Sequence, residues 1–175
     1  KTARVDQSAT LLEATLEEIE TDRELQQFAL AMGESLFGDN CATCHGAGGR
    51  GAVGYPILAD DVWLWDGTLD GIEYTLRHGI RHDGDDATRF SLMPSFGRDG
   101  LLSSEQIDGL THYILRVSGQ DFDAGLADGV TELYQQQCAT CHGVHAKGDR
   151  LQGAPNLTDQ EWLYGSTEDA IYNSI

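Results

Sequence analysis

Cys41-Ala42-Thr43-Cys44-His45-Gly46 returns without change as Cys138-Ala139-Thr140-Cys141-His142-Gly143, and the reading of this stretch decides the fold. A Cys-x-x-Cys-His run is the attachment signature of c-type haem. The two thiols form thioether bonds to the porphyrin vinyl groups, and the two-residue gap lets both sulfurs reach one ring edge. The adjacent His then meets the iron as its proximal axial ligand. Cys41 and Cys44 are therefore expected to hold one haem with His45 on its iron, and Cys138 and Cys141 a second with His142 on its iron. Other uses of four cysteines fit less well. A four-cysteine zinc site needs no His after each pair and spaces its pairs more closely than the 93 residues between Cys44 and Cys138. Thioredoxin-like pairs want a βαβ setting, whereas the flanks here are helical in pattern. A disulfide between residues three apart closes too short a loop to constrain much.

Working outward, the similarity continues past the motifs. Pro56-Ile57-Leu58-Ala59-Asp60-Asp61-Val62-Trp63-Leu64-Trp65 follows the first, and Pro155-Asn156-Leu157-Thr158-Asp159-Gln160-Glu161-Trp162-Leu163-Tyr164 follows the second. Pro, Leu, Asp, Trp and Leu coincide, then Thr68 with Thr167, Asp70 with Asp169 and Ile72 with Ile171. This is one unit used twice. Apolar residues at spacings of three and four precede each motif: Leu25, Phe28, Met32 and Leu36, then Leu126, Val130, Leu133 and Tyr134. Thr21 and Glu24 form a candidate capping box for the first of these helices. A closing helix has Ser103 and Gln106 as its box, Ile107, Leu110, Ile114 and Val117 as its stripe, and Gly119 as its stop. No period-two alternation is long enough to suggest a sheet.

An iron used only for electron transfer has both axial positions filled, and Met is the ligand that raises its potential. The chain has two methionines. Met93, in Leu92-Met93-Pro94-Ser95-Phe96-Gly97, lies 52 residues after Cys41, in a loop that can carry a thioether over a distal face. Met32 falls on a helical apolar stripe and reads as packing. By the same ruler a second Met belongs about 40 to 55 residues after Cys138, and the chain reaches 37. With Lys1 in place of an initiator Met, the sequence is expected to be a piece of something longer. His78, His82, His112 and His145 are weaker ligand candidates, with His112 and His145 expected to face solvent. The carbonyls of Pro56 and Pro155 are candidate acceptors for Nδ1–H of His45 and His142, fixing the imidazole planes. Arg77 and Arg81 could pair haem propionates or simply surface carboxylates. Trp63, Trp65 and Trp162, with Tyr55 and Tyr164, either flank a macrocycle or pack as ordinary core aromatics.

Charge narrows the partners. With 11 basic and 29 acidic residues the formal charge is −18, which offers no face for phosphates and excludes nucleic acid. A field of that sign steers a cationic partner. No apolar run approaches the ~18 residues of a membrane-spanning helix, so a membrane attachment is expected to lie outside this chain.

The two motifs, together with Asp60-Asp61-Val62-Trp63-Leu64-Trp65-Asp66-Gly67, Leu92-Met93-Pro94-Ser95-Phe96-Gly97 and Ala154-Pro155-Asn156-Leu157-Thr158-Asp159-Gln160-Glu161-Trp162-Leu163-Tyr164-Gly165, resemble the dihaem subunit III of cbb3-type cytochrome c oxidases from about Thr21 to Ile175. The resemblance implies an all-α fold of two tandem class I cytochrome c domains, the second incomplete in this chain. Residues 1–20 would be a helical lead-in, 21–118 the first domain, 119–127 a linker and 128–175 the truncated second domain. It implies two covalently attached haem c groups, a membrane anchor preceding this chain, and a place on the periplasmic face of the bacterial inner membrane. Electrons would pass from a donor cytochrome c with a basic face, through this subunit, to the monohaem subunit and so to the oxygen-reducing catalytic subunit. It also implies crossed ligation, with Met93 on the iron of the second haem. Two departures stand out: the stretch from His82 to Leu92 is longer than usual and carries Asp83, Asp85 and Asp86, and Ile57 stands where Asn156 would lead one to expect Asn. The alternatives are a free periplasmic dihaem shuttle and, in a different class, a dihaem peroxidase with one open iron.

Overall fold

The computed structural model describes residues 2–175, with side chains from Ser8 onward. Among them there is no β-strand, only isolated bridges at Ala52–Tyr55, Ile80–Arg89 and Asp149–Ala154, so the helical expectation holds. The chain divides into two compact units, residues 1–60 and 61–175.

The first unit contains α1 (Thr2–Glu13), α2 (Leu16–Thr21), α3 (Arg23–Asn40), α4 (Ala42–His45) and a 3-10 turn at Ala47–Gly49. Thr15 opens α2 with a reciprocal capping box, its Oγ1 accepting from Glu18 N at 3.2 Å while its own N–H donates to Glu18 Oε2 at 2.8 Å. The box expected at Thr21 and Glu24 does not form. Thr21 ends α2, donating from Oγ1 to Glu17 O, and Asp22 caps α3 by accepting from Glu24 N and Leu25 N at 2.9 and 3.0 Å. A carboxylate at this position both satisfies free N–H groups and favours the positive end of the helix, which a hydroxyl one residue earlier does not match. Along α3, Leu25, Phe28 and Met32 form the half-buried stripe, but Leu36 leaves it at 56% exposure. Gly49 is the one buried residue among those described in this unit.

The second unit contains α5 (Leu69–His78), α6 (Ser104–Val117), α7 (Ala124–Asp128), α8 (Thr131–Gln137), α9 (Ala139–His142) and α10 (Glu168–Ser174). Ser103 and Gln106 make the expected capping box, and Gly119, with φ +77°, follows the end of α6. The single helix anticipated through Leu126 and Tyr134 is instead two. Asp123 caps α7 from within the stretch expected to be linker, and Gly129 and Val130 separate it from α8. Glycine's low helix propensity permits the break, and the core uses it: Gly109 on α6 sits so close to Val130 that an added Cβ would lie 2.6 Å from Val130 Cγ1. Around α6 the buried residues Ile107, Leu110, Ile114 and Leu115 meet Phe96, Val130, Tyr134 and Ile171. Tyr113 stacks on Tyr134 with ring centroids 4.6 Å apart, a contact worth about 0.5–1.5 kcal/mol beyond its buried area. α6 precedes the second motif in sequence, yet it packs on both α7 and α10.

Candidate haem sites

Each motif is wound into a four-residue helical turn, α4 or α9, directly after a longer helix. Cys41 and Cys138 share nearly the same backbone, φ −113° with ψ −33° and −35°. His45 N–H donates to Cys41 O, and His142 N–H to Cys138 O, both at 2.9 Å. One helical turn therefore sets two sulfurs three residues apart and the imidazole beside them. Gly46 and Gly143, both at φ +77°, then turn the chain away in a conformation L side chains rarely adopt. The returning loops are tied by matching bonds: Gly51 N to His45 O at 2.7 Å and Gly148 N to His142 O at 2.8 Å, then Leu58 N to Gly49 O and Leu157 N to Ala146 O, both at 2.8 Å.

Those ties bring two prolines under the histidines. Nδ1 of His45 lies 3.0 Å from Pro56 O, and Nδ1 of His142 lies 3.0 Å from Pro155 O. A carbonyl can only accept, so Nδ1 carries the hydrogen in both rings and Nε2 keeps its lone pair. That is the tautomer an iron ligand requires. Burial pushes the His142 pKa down, with the Pro155 bond opposing, so the neutral ring is favoured. Burial, with Cys141 nearby, pushes the Cys138 thiol up to about 11.

His112 is the counter-example, and corrects the expectation that it faces solvent. It is 9% exposed, and its Nδ1 accepts from Asp123 N–H at 3.2 Å. The hydrogen of the neutral ring is then on Nε2, 3.8 Å from Glu168 Oε1. Asp108, His112 and Glu168 crowd together as a metal cluster would, but the ring offers them a hydrogen and not a lone pair. Helical periodicity points the other way, since His112 lies off the Ile107, Leu110, Ile114 and Val117 stripe, and its burial follows from α6 being buried nearly all round.

The remaining candidates separate clearly. Met32 is half-buried on α3, while Met93 is 44% exposed. The Met93 loop is anchored three residues later, where buried Phe96 donates its N–H to Ile175 O at 2.9 Å. His78 is held through Nδ1 by Asp85 at 2.9 Å, and His145 is exposed. Arg77 pairs with Glu73 at 2.6 Å and Arg81 donates to Ser91 O at 3.1 Å. Tyr55 sets its ring edge against His45, centroids 6.1 Å apart, and Tyr164 is exposed. Trp63 covers Gly67 and Trp65 covers Gly153, in each case so closely that a Cβ would clash with the indole. Nε1 of Trp162 is buried with no partner, at a cost of about 1–3 kcal/mol if left so. Sequence reasoning missed Arg89, which fastens the acidic loop to α5. It donates to Thr75 Oγ1 at 2.8 Å and Gly71 O at 3.1 Å and lies over the rings of Trp65 and Tyr74. No local pattern announces such a residue.

Paired sulfurs, an imidazole with a free Nε2 and an unanswered indole N–H all fit haem c. Residues 30–118 match the cytochrome c family, described as Cytochrome c, and the chain belongs to it. Residues 125–175 match a second family, described as Cytochrome C oxidase, cbb3-type, subunit III. The chain is similar to the Cbb3-type cytochrome c oxidase subunit CcoP of Cereibacter sphaeroides, 47% identical over 166 residues, which is 94% of this chain and 57% of that protein. The subunit CcoP of an Azospirillum species is 46% identical, covering 92% of this chain and 57% of its own length. The FixP subunit of Bradyrhizobium diazoefficiens is 43% identical, covering 98% and 59%. The chain thus spans a little over half the length of these curated relatives. Cytochrome c domains carry covalently bound haem c, and the helical fold described above is consistent with them. No helix among the described residues is long and apolar enough to cross a membrane.

Proposed function

We propose that this chain is the dihaem electron-carrying part of a cbb3-type oxidase subunit. Haem c supplies a one-electron iron couple. The chain's work is to attach, orient and tune it. Cys41 and Cys44 would attach one haem and Cys138 and Cys141 the other, with His45 and His142 on the irons and the Pro56 and Pro155 carbonyls holding each imidazole plane. The observation that carries this reading is the matched Nδ1-to-carbonyl bond at 3.0 Å in both copies, which leaves Nε2 free beside two unpaired thiols. In sequence, 21–118 and 128–175 would be the tandem domains, joined at 119–127.

Met93 is assigned to the iron of the second haem. Its loop is bonded to Ile175 through Phe96, and the helix that follows it, α6, packs on α10, both belonging to the second repeat. With His142 and Met93 on its iron the second haem would keep no coordination position for a substrate, so peroxide chemistry would have to take place at the first haem, and peroxide turnover by the haem-loaded protein would favour that reading. The partners would be the monohaem and catalytic subunits and a donor cytochrome c with a basic face, drawn to a chain of charge −18 on the periplasmic side of the membrane.

Pyridine haemochrome analysis of the denatured chain should give two covalent haems per polypeptide, and one or none would overturn the assignment. In a Cys41→Ser/Cys44→Ser variant, which retains only the second haem, the far-red methionine–iron band should persist and should vanish on adding Met93→Leu. A band that is already lost in the first variant would place Met93 on the first haem instead.

A further inference from the structure

The two repeats part company at one hydroxyl. Four residues before the first cysteine of each motif stand Phe37 in one copy and Tyr134 in the other, and three residues before it stand Gly38 and Gln135. Around these positions the backbones agree closely. Cys41 N donates to Phe37 O at 2.8 Å and Cys138 N to Tyr134 O at 2.9 Å, while Gly46 N donates to Ala42 O at 2.9 Å and Gly143 N to Ala139 O at 2.8 Å. Gly46 and Gly143 share φ +77°, with ψ 160° and 156°. Positions 37 and 134 therefore stand in the same relation to the residue that follows each histidine, and what differs across this stretch is the side chain.

In the second copy those side chains close on the turn after the histidine. Tyr134, 0% exposed and stacked on Tyr113, donates its hydroxyl to Gly143 O at 2.9 Å, and Gln135 Nε2 donates to Val144 O at 3.2 Å. Gly143 O also accepts from Ala146 N at 3.0 Å, so both of its lone pairs are used. Gly46 O accepts from Gly49 N at 3.1 Å, and neither Phe37 nor Gly38 has a side-chain donor to add. His142 is thus held through its backbone N–H, its ring and the residue after it. His45 shares the first two of these restraints.

We propose that Tyr134 is a positioning residue for His142, the proximal ligand of the second haem, and that its hydroxyl makes the two haem sites unequal. The inference rests on haem attachment at both motifs. The hydroxyl draws negative charge from a carbonyl oxygen in the residue next to the iron ligand, and hydrogen bonds of this kind are among the protein's levers on an iron potential. Less negative charge beside the iron disfavours the ferric state. The bond therefore raises the potential of the second iron and leaves the first untouched.

The test uses the haem-loaded chain and Tyr134→Phe, with haemochrome counting to establish that two haems are attached. A potentiometric titration should show one midpoint potential shifted downward and the other unmoved. In Phe37→Tyr the other midpoint should rise, because the matched backbone brings a hydroxyl at 37 to Gly46 O. A loss of unfolding stability in Tyr134→Phe with both midpoints unchanged would overturn the proposal, since Tyr134 would then serve the core alone. A drop shared by both haems, or a Phe37→Tyr chain with the midpoints of the unmutated one, overturns it equally. A gentler probe covers a variant that fails to fold. With 3-fluorotyrosine incorporated at position 134, a more acidic donor of nearly the same shape, the second midpoint should rise, and one that stays or falls overturns the inference. A haem count below two would instead fault the attachment on which it rests.

Discussion

At the scale of single residues, the histidines are sorted by tautomer. His45 and His142 give their Nδ1 hydrogen to a proline carbonyl, whereas His112 receives a backbone N–H at Nδ1. Distance from neighbouring carboxylates would have misassigned His112. The prolines were legible in the sequence because they recur at 11 and 13 residues past their histidines within one local loop. His112 and Arg89 were not, because their partners, Asp123 before α7 and Thr75 and Gly71 on α5, belong to separate elements that no recurring motif ties to them. The acidic loop shows residue-level chemistry that titrates. Asp85 is bonded first by His78 and then by Ala87 N–H, which hold its pKa below the ordinary carboxylate value. A depressed folded pKa contributes stability above the unfolded value, and that contribution is lost as pH falls through the folded one. Asp85→Asn should therefore speed hydrogen exchange at the amides of 82–92 near neutral pH. The two proteins should converge as pH drops below the carboxylate range, and a difference that persists in acid would refute the link.

At the scale of elements, the caps and turns were readable and the packing was not. Ser103 with Gln106, Gly119, and the two Cys-x-x-Cys-His turns depend on neighbours within a few residues, so a spacing suffices to find them. The placement of the α3 cap on Asp22, and the break between α7 and α8, depend on which of two adjacent options the surroundings favour. The α6 contact with Val130 is the sharpest of these tertiary decisions. Gly109→Ala improves helix propensity but drives a methyl against Val130 Cγ1, and the net effect should be a loss of about 1–3 kcal/mol in denaturant unfolding. Adding Val130→Ala should recover part of that loss, a coupling between neighbours that a double-mutant cycle reads directly. Full additivity of the two losses would mean the side chains do not meet.

At the scale of the whole molecule, charge is the dominant property. Eleven bases against 29 acids leave a long-range field that neither the fold nor the haem motifs require. Haem propionates would add to it. Stopped-flow electron transfer from a basic cytochrome c should slow steeply as ionic strength rises, while transfer from a small neutral reductant should hardly change. Equal salt dependence for the two donors would remove any role for steering. Composition was sufficient to point to this, because net charge is a sum over residues and needs no structure. The division after Asp60 could not be read the same way, since it reflects contacts and not composition.

The placement of α6 has a bearing on descent. Duplication usually yields copies that can later be lost, reordered or replaced one at a time. Here a helix encoded upstream of the second motif supplies much of the core around Tyr134 and Ile171. A lineage that deleted the earlier copy would strip the later one of that core, so selection acts on the pair as one heritable unit. Two repeats of one sequence have become a single object to evolution.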